Sequence, residues 1–229
     1  MQSEAVEKYL KTIYEIQQSG GRVKTSALAT KLGVTAGSVT DMVKRLASLQ
    51  SKLVTHELHK GVSLTPRGKK IALNIIRRHR LLETFLNQVL GYSWDEVHEE
   101  AENLENHVSE RLTDAIAKYL NHPQYDPHGD PIPEKNGKMI PAKHRSLSTT
   151  PVGETVRVAR VRHYDSRFLQ YLEKLGVQLD TMVTILDKAP FNGPISIRVG
   201  MQKNAPIQNL GANVAEDIFV EPISNSISV

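Results

Sequence analysis

Apolar side chains recur at helical spacing over residues 4–17, where Val6, Tyr9, Leu10, Ile13, Tyr14 and Ile16 form a stripe with charges opposite. Ser19-Gly20-Gly21 ends that helix. In residues 25–34 (TSALATKLGV), Thr25 or Ser26 can cap a second helix whose Leu28, Ala29 and Leu32 face inward, and Gly33 supplies the turn. A third helix is predicted from near Thr35 to about Gln50, with Val39, Val43, Leu46 and Leu49 inside. The period then drops to two. Residues 53–58 (LVTHEL) read as a strand, His59-Lys60-Gly61 as a tip and residues 62–65 as the return strand. Pro66 opens one long helix over 66–90. After Gly91-Tyr92-Ser93, residues 94–120 predict another, with Trp94, Val97, Ala101, Leu104, Val108, Leu112, Ala115 and Tyr119 on one apolar stripe.

The pattern changes again further on. Five prolines with Gly and Asp between 121 and 148 predict a linker with ordered turns. Beyond it lie short β-rich runs at 155–161, 182–186, 195–199 and 218–223, with a short helix over 167–177 closed by Gly176. Four or five short strands in this span suggest a small SH3-like barrel. The expected fold class is α+β: a winged helix–turn–helix over 1–72, an all-α metal-binding and dimerisation domain over 73–122, a Pro-rich linker over 123–148 and an SH3-like domain over 149–229.

Composition narrows the chemistry. The chain has 229 residues, a net charge of +4 and no cysteine. Disulfides, thiolate metal sites and cysteine nucleophiles are excluded. The mildly basic balance permits nucleic-acid binding without demanding it. The first residues lack a long apolar core and no long apolar run occurs elsewhere, so neither a leader nor a membrane span is expected and a cytoplasmic location follows by default.

The first four helices and the hairpin make a winged helix–turn–helix, whose third helix would enter the major groove. Small residues at that helix start, Thr35, Ala36, Gly37 and Ser38, allow close approach to a bulky partner. Thr40, Asp41, Lys44 and Arg45 project outward, and His59 and Lys60 form the wing tip. Basic members of this set would hold phosphates; Thr35, Ser38, Thr40 and Asp41 are candidates for base edges.

The stretch 79–107 (HRLLETFLNQVLGYSWDEVHEEAENLENH) carries the second kind of chemistry. His79 and Glu83, four apart, share a helix face, and His98, Glu102 and Glu105 fall within about 60° of one another on a helical wheel. Imidazoles and carboxylates bordering an apolar stripe repel or cost desolvation unless a cation joins them. Such donors suit a borderline or hard divalent ion. There is no nucleophile motif, phosphate loop or HExxH spacing, so regulation rather than catalysis is expected. The apolar stripe is a candidate homodimer face, which suits readout of a two-fold DNA site.

Several runs carry a resemblance: YLKTIYEI, GSVTDMVKRL, GVSLTPRGKKIAL, RRHRLLETFL, WDEVHEEAENLENHVSERL, HGDPIP, PVGETVRV and APFNGPISIRV. In that order they resemble the diphtheria-toxin-repressor family of metal-dependent transcriptional repressors. The tail is similar to the SH3-like domain of those proteins and of ferrous-transport accessory proteins. The resemblance implies Mn(II) or Fe(II) as cofactor, a double-stranded DNA operator and a homodimer as partners, and no membrane. It places His79, Glu83 and His98 at an ancillary metal site, with Asp165 as the residue the SH3-like domain would add. It places Glu102 and Glu105 at a primary site. There the chain departs from the pattern: Lys8 stands where the family has Met or Asp, and Asn106 where it has His. Lys8 is therefore expected to pair with Glu102 or Glu105 and mimic an ion. Two rival readings remain: a winged-helix regulator switched by a small organic ligand, and an adaptor whose SH3-like domain binds a peptide.

Overall fold

The computed structural model describes residues 3–18, 20–48, 52–57, 60–141, 144–162 and 165–223. They form two compact units, one of Met1–His79, Glu105–Ser109 and Pro133–Met139, the other of Arg80–Leu104, Glu110–Ile132 and Ile140–Val229.

In the first unit, α1 (Glu4–Gln17), α2 (Thr25–Leu32) and α3 (Ala36–Ser48) precede an antiparallel hairpin of β1 (Val54–Glu57) and β2 (Gly61–Leu64). Val6, Leu10 and Ile13 of α1 pack with Leu28 of α2, with Val39, Val43 and Leu46 of α3, and with Val54 and Val62 of the hairpin. Burial of each such side chain contributes about 1.5–3 kcal/mol, so the predicted stripes are what close this module. Gly33 ends α2 at φ 66°, a left-handed position that a side chain rarely adopts, and this turns the chain into α3. The hairpin register pairs Val54 with Leu64 and Glu57 with Gly61. The helix α4 (Pro66–Leu90) follows without a break and runs from the first unit into the second.

The helix expected over 94–120 is two: α5 (Val97–Glu105) and α6 (Glu110–Tyr119). Asn106, His107, Val108 and Ser109 lie between them. These residue types are mediocre helix formers, and Ser is a favoured type just before a helix start. The break also rotates α6, which buries Thr113, Ile116 and Ala117 and leaves Leu112, Ala115 and Tyr119 exposed.

The C-terminal part is one antiparallel sheet of six strands in the order β3-β8-β4-β5-β6-β7. These are β3 (Arg145–Ser146), β4 (Thr155–Val161), β5 (Met182–Lys188), β6 (Ile195–Val199), β7 (Ile207–Leu210) and β8 (Ile218–Pro222). Helix α7 (Ser166–Lys174) lies between β4 and β5, and α8 (Ala212–Glu216) between β7 and β8. The short strands β3 and β7 and the helix α8 have no expected counterpart. Their apolar patterns span too few residues to register as a period. Val156, Val158, Leu169, Leu172, Val183, Ile185, Ile197 and Val220 fill the core beneath the sheet.

Candidate metal centre

Glu83 stands in the C-terminal half of α4 and is 2 % exposed. His98 of α5 places Nδ1 2.9 Å from Glu83 Oε1. His79, one turn earlier on α4, joins these two: the three residues offer ligand atoms within 4.8 Å of one another. The shared helix face read from spacing is thus real, and α5 supplies the third member.

A second group, unforeseen, uses the same carboxylate. Glu83, Asp126 and His128 are all buried and offer ligand atoms within 4.8 Å of one another. Asp126 and His128 lie in the Pro-rich stretch read as a linker. The turn is built by Asp126, whose Oδ1 accepts from the backbone N–H of His128 and of Asp130, each at 2.9 Å. The backbone carbonyl of His128 accepts from Val161 N at 2.9 Å, which docks the turn on the end of β4. Gly129 has φ +84°, and a Cβ there would come within 2.1 Å of Ala159 O; only glycine permits this approach. A visible signal existed: Asp, His and Asp alternate at 126, 128 and 130 between prolines, a spacing that gathers side chains once the backbone is bent by turns.

His128 is held in a useful tautomer. Its Nε2 lies 2.7 Å from Trp94 O, which can only accept, so Nε2 carries the proton. Nδ1 then presents a lone pair, and it lies 4.0 Å from Glu83 Oε1. That is too long for a hydrogen bond. It suits two donors on one ion, since bonds of about 2.0–2.2 Å place them up to about 4.4 Å apart. Burial pushes the His128 pKa down, against the opposing pull of Glu83, so the neutral, ligating form is favoured. Burial first, then the charges of Glu83 and Asp130, push the Asp126 pKa well up, although Arg80 opposes this. Arg80 lies 3.4 Å from Asp126 and 3.6 Å from Asp130, and donates to Pro131 O at 2.6 Å. Arg160 lies 3.0 Å from Asp130. A nitrogen and oxygen donor set without sulfur, around a carboxylate that burial penalises, fits a divalent first-row ion.

The remaining expected ligands lie elsewhere. The Glu102 side chain is 55 % exposed, 3.8 Å from His98 Nε2. Glu105 is buried against Lys11 and His79, at 3.1 and 2.8 Å. Burial pushes its pKa up, but His79 and Lys11 outweigh this and hold it low. Lys8, the expected partner of Glu102 or Glu105, is exposed; the ammonium that reaches Glu105 is Lys11, one helical turn along, because α1 presents that face to Glu105. Asp165 caps α7, accepting from Arg167 N at 2.9 Å and pairing with its side chain at 3.3 Å. That pairing with Arg167 holds its carboxyl low. Neither ligand group found among the described residues includes Glu102, Glu105 or Asp165.

In the winged module, Thr35, Ala36, Gly37, Ser38, Asp41, Lys44, Arg45 and Lys60 are exposed, and Thr40 is half-buried. Thr35 Oγ1 caps α3 by accepting from Ser38 N at 3.2 Å. Thr40 donates to Ala36 O at 2.9 Å, so its hydroxyl can only accept from a partner. Glu57 pairs with both Arg22 and Lys60 at the wing. His59 lies outside the described residues.

Comparison with known proteins agrees with this architecture. Residues 1–62 match the N-terminal DNA-binding domain of iron-dependent repressors. Residues 65–134 match their metal-binding and dimerisation domain, and residues 145–222 the FeoA domain. The iron-dependent repressor IdeR of Mycobacterium leprae is 33 % identical over 195 residues, covering 80 % of this chain and 84 % of that protein.

The chain belongs to the diphtheria-toxin-repressor family.

Another family member, the regulator MntR of Oceanobacillus iheyensis, is 34 % identical over 53 % of this chain and 81 % of its own. The match to IdeR of Mycobacterium tuberculosis, at 34 % identity, spans only 56 % of that repressor's length. Among solved structures, a manganese-dependent transcriptional repressor in complex with manganese superposes with a TM-score of 0.86 at 40 % identity, covering 95 % of this chain and all of that one. The apo form of the manganese-activated repressor ScaR gives 0.78 at 32 % identity, covering 94 % of this chain. The family resemblance expected from the motifs therefore holds along the chain, from the winged helix–turn–helix to the C-terminal sheet.

Proposed function

We propose that this chain is a metal-dependent, DNA-binding transcriptional repressor that controls manganese or iron homeostasis. The observation that carries this is the buried Glu83, shared by two groups of ligating side chains, on the helix that continues directly from a winged helix–turn–helix. Its relatives are named for iron-dependent and manganese-dependent regulation.

His79, Glu83, His98, Asp126 and His128 would hold the ion, and Mn(II) or Fe(II) suits their donors. When bound, the ion would neutralise Glu83 and tie α5 and the 126–130 turn to α4. Trp94 O keeps the His128 lone pair turned inward, and Arg80 balances Asp126 and Asp130. Without an ion, α5 keeps its contact between His98 and Glu83 but is held less firmly. The C-terminal part of α4 and helix α6 expose Val89, Leu90, Leu112 and Tyr119, a patch that we assign to homodimer formation. Ion binding thus orders the dimer face, and the paired α3 helices are set one DNA turn apart. Because Asp126 and His128 would supply ligands beside Glu83, the segment 123–148 works with the helical domain and is more than a linker. A few kcal/mol of differential ion affinity between two states is enough for such a switch.

The deciding experiment selects the operator from random double-stranded DNA, then titrates it against metal-free protein with Mn(II), Fe(II), Co(II) and Zn(II) in turn. Ion-dependent gain of operator affinity is expected. Equal affinity in the presence of a strong chelator would reject the proposal and favour an organic effector.

A further inference from the structure

The side of His79 that faces Glu105 carries a group that ion binding at Glu83 does not account for. His79 Nδ1 lies 2.8 Å from Glu105 Oε2. Lys11 Nζ lies 3.1 and 3.4 Å from the two oxygens of the same carboxylate and 3.3 Å from His79 Nδ1. The Lys11 and Glu105 side chains are 12 % and 11 % exposed. A carboxylate can only accept, so at 2.8 Å the His79 ring must place its proton on Nδ1, aimed at Glu105. Lys11 is then a neighbour of that nitrogen and not a donor to it. In that tautomer the opposite ring nitrogen, Nε2, is the one that bears the lone pair. An imidazole held by a carboxylate in this way is the usual outer support of a metal ligand. Here the carboxylate is in turn balanced by an ammonium from α1, so its charge is already met without a second divalent ion.

We propose that Lys11 is a built-in counter-ion of Glu105, that this pair positions His79 for the centre on Glu83, and that Glu105 takes up no ion of its own. The inference rests on the metal-dependent reading above. It makes Glu105 a positioning residue, and it makes the ammonium of Lys11 the feature that sets the ion count.

The test measures Mn(II) bound per chain by equilibrium dialysis and elemental analysis, with circular dichroism to confirm folding. The unaltered chain is expected to hold one ion, Lys11→Met two, and Lys11→Arg one, because a cation is retained. Two ions in the unaltered chain, or one ion in Lys11→Met at unchanged affinity, would overturn this inference alone. No ion in the unaltered chain would overturn the centre itself. Ring 15N shifts give an independent readout in the metal-free chain. They should report His79 protonated on Nδ1, and on Nε2 in Glu105→Leu, with Mn(II) affinity lower by about 10–100-fold. An unchanged tautomer in Glu105→Leu would refute the positioning role.

Discussion

A carboxylate as enclosed as Glu83 needs either a proton or nearby positive charge, because desolvation penalises the charged form. Three imidazoles and a second carboxylate surround it, and a neutral imidazole supplies lone pairs but no charge. Glu83→Gln keeps the shape and removes the charge. It is expected to abolish ion uptake while leaving the helix content unchanged, checked by dialysis and circular dichroism. Asp95 serves structure rather than ion binding. Ser166 and Gln170 of α7 donate to its Oδ2 at 2.9 and 2.8 Å. Burial pushes its pKa up, but these bonds and one from Ser93 prevail and hold it below the ordinary value of 3.8. The stabilisation is therefore full above that ordinary value and fades as pH falls through the lower folded value. Asp95→Ala is expected to cost about 1–3 kcal/mol at neutral pH, read from denaturant unfolding, and progressively less in acid.

Secondary-structure elements bring these residues together by means that differ in strictness. Along α4 the i,i+4 spacing alone sets His79 beside Glu83. The 126–130 turn depends on a positive φ and on contact with β4. Gly129→Ala would meet Ala159 O and strain a left-handed residue. It is expected to lower thermal stability and to weaken Mn(II) binding by moving His128, whereas Gly33→Ala, with open space around its Cβ, should leave Mn(II) affinity intact. The break between α5 and α6 has a consequence at the exposed face. Tyr119 is 71 % exposed and meets Phe85 edge-on with ring centroids 6.3 Å apart. Leu112→Glu with Tyr119→Glu should convert the dimer to a monomer in sedimentation analysis. A dimer that persists would place the interface elsewhere.

Under the proposed function, ion binding, folding and DNA binding are linked equilibria for the chain as a whole. An ion present at about 100 times its dissociation constant stabilises the folded state by about 2.7 kcal/mol. For a chain of this size that raises the melting temperature by about 5–10 °C. Chelation should remove the whole increment, and calorimetry with and without Mn(II) checks it. Operator affinity should also fall steeply with salt, because the proposed phosphate contacts Lys44, Arg45 and Lys60 are exposed cations. Flat salt dependence would argue for a protein partner instead.

Local pattern by itself determined the helices of the winged module, the hairpin, the uninterrupted α4 and four of the six C-terminal strands. In each, a period of 3.6 or 2 repeats often enough to be unambiguous, and burial of one face follows from it. It also determined the pairing of His79 with Glu83, which a single helix enforces. Only the tertiary structure decided that α5 brings His98 and not Glu102 to that pair. It also decided that the turn at 126–130 is buried beside Glu83, and that Lys11 rather than Lys8 reaches Glu105. Those outcomes depend on the rotation and docking of separate segments, which side-chain spacing within one segment does not encode. Asp126 and His128 become ligand candidates only because a glycine lets their backbone press against β4. Asp165 is drawn away by a competing local use, the cap of α7.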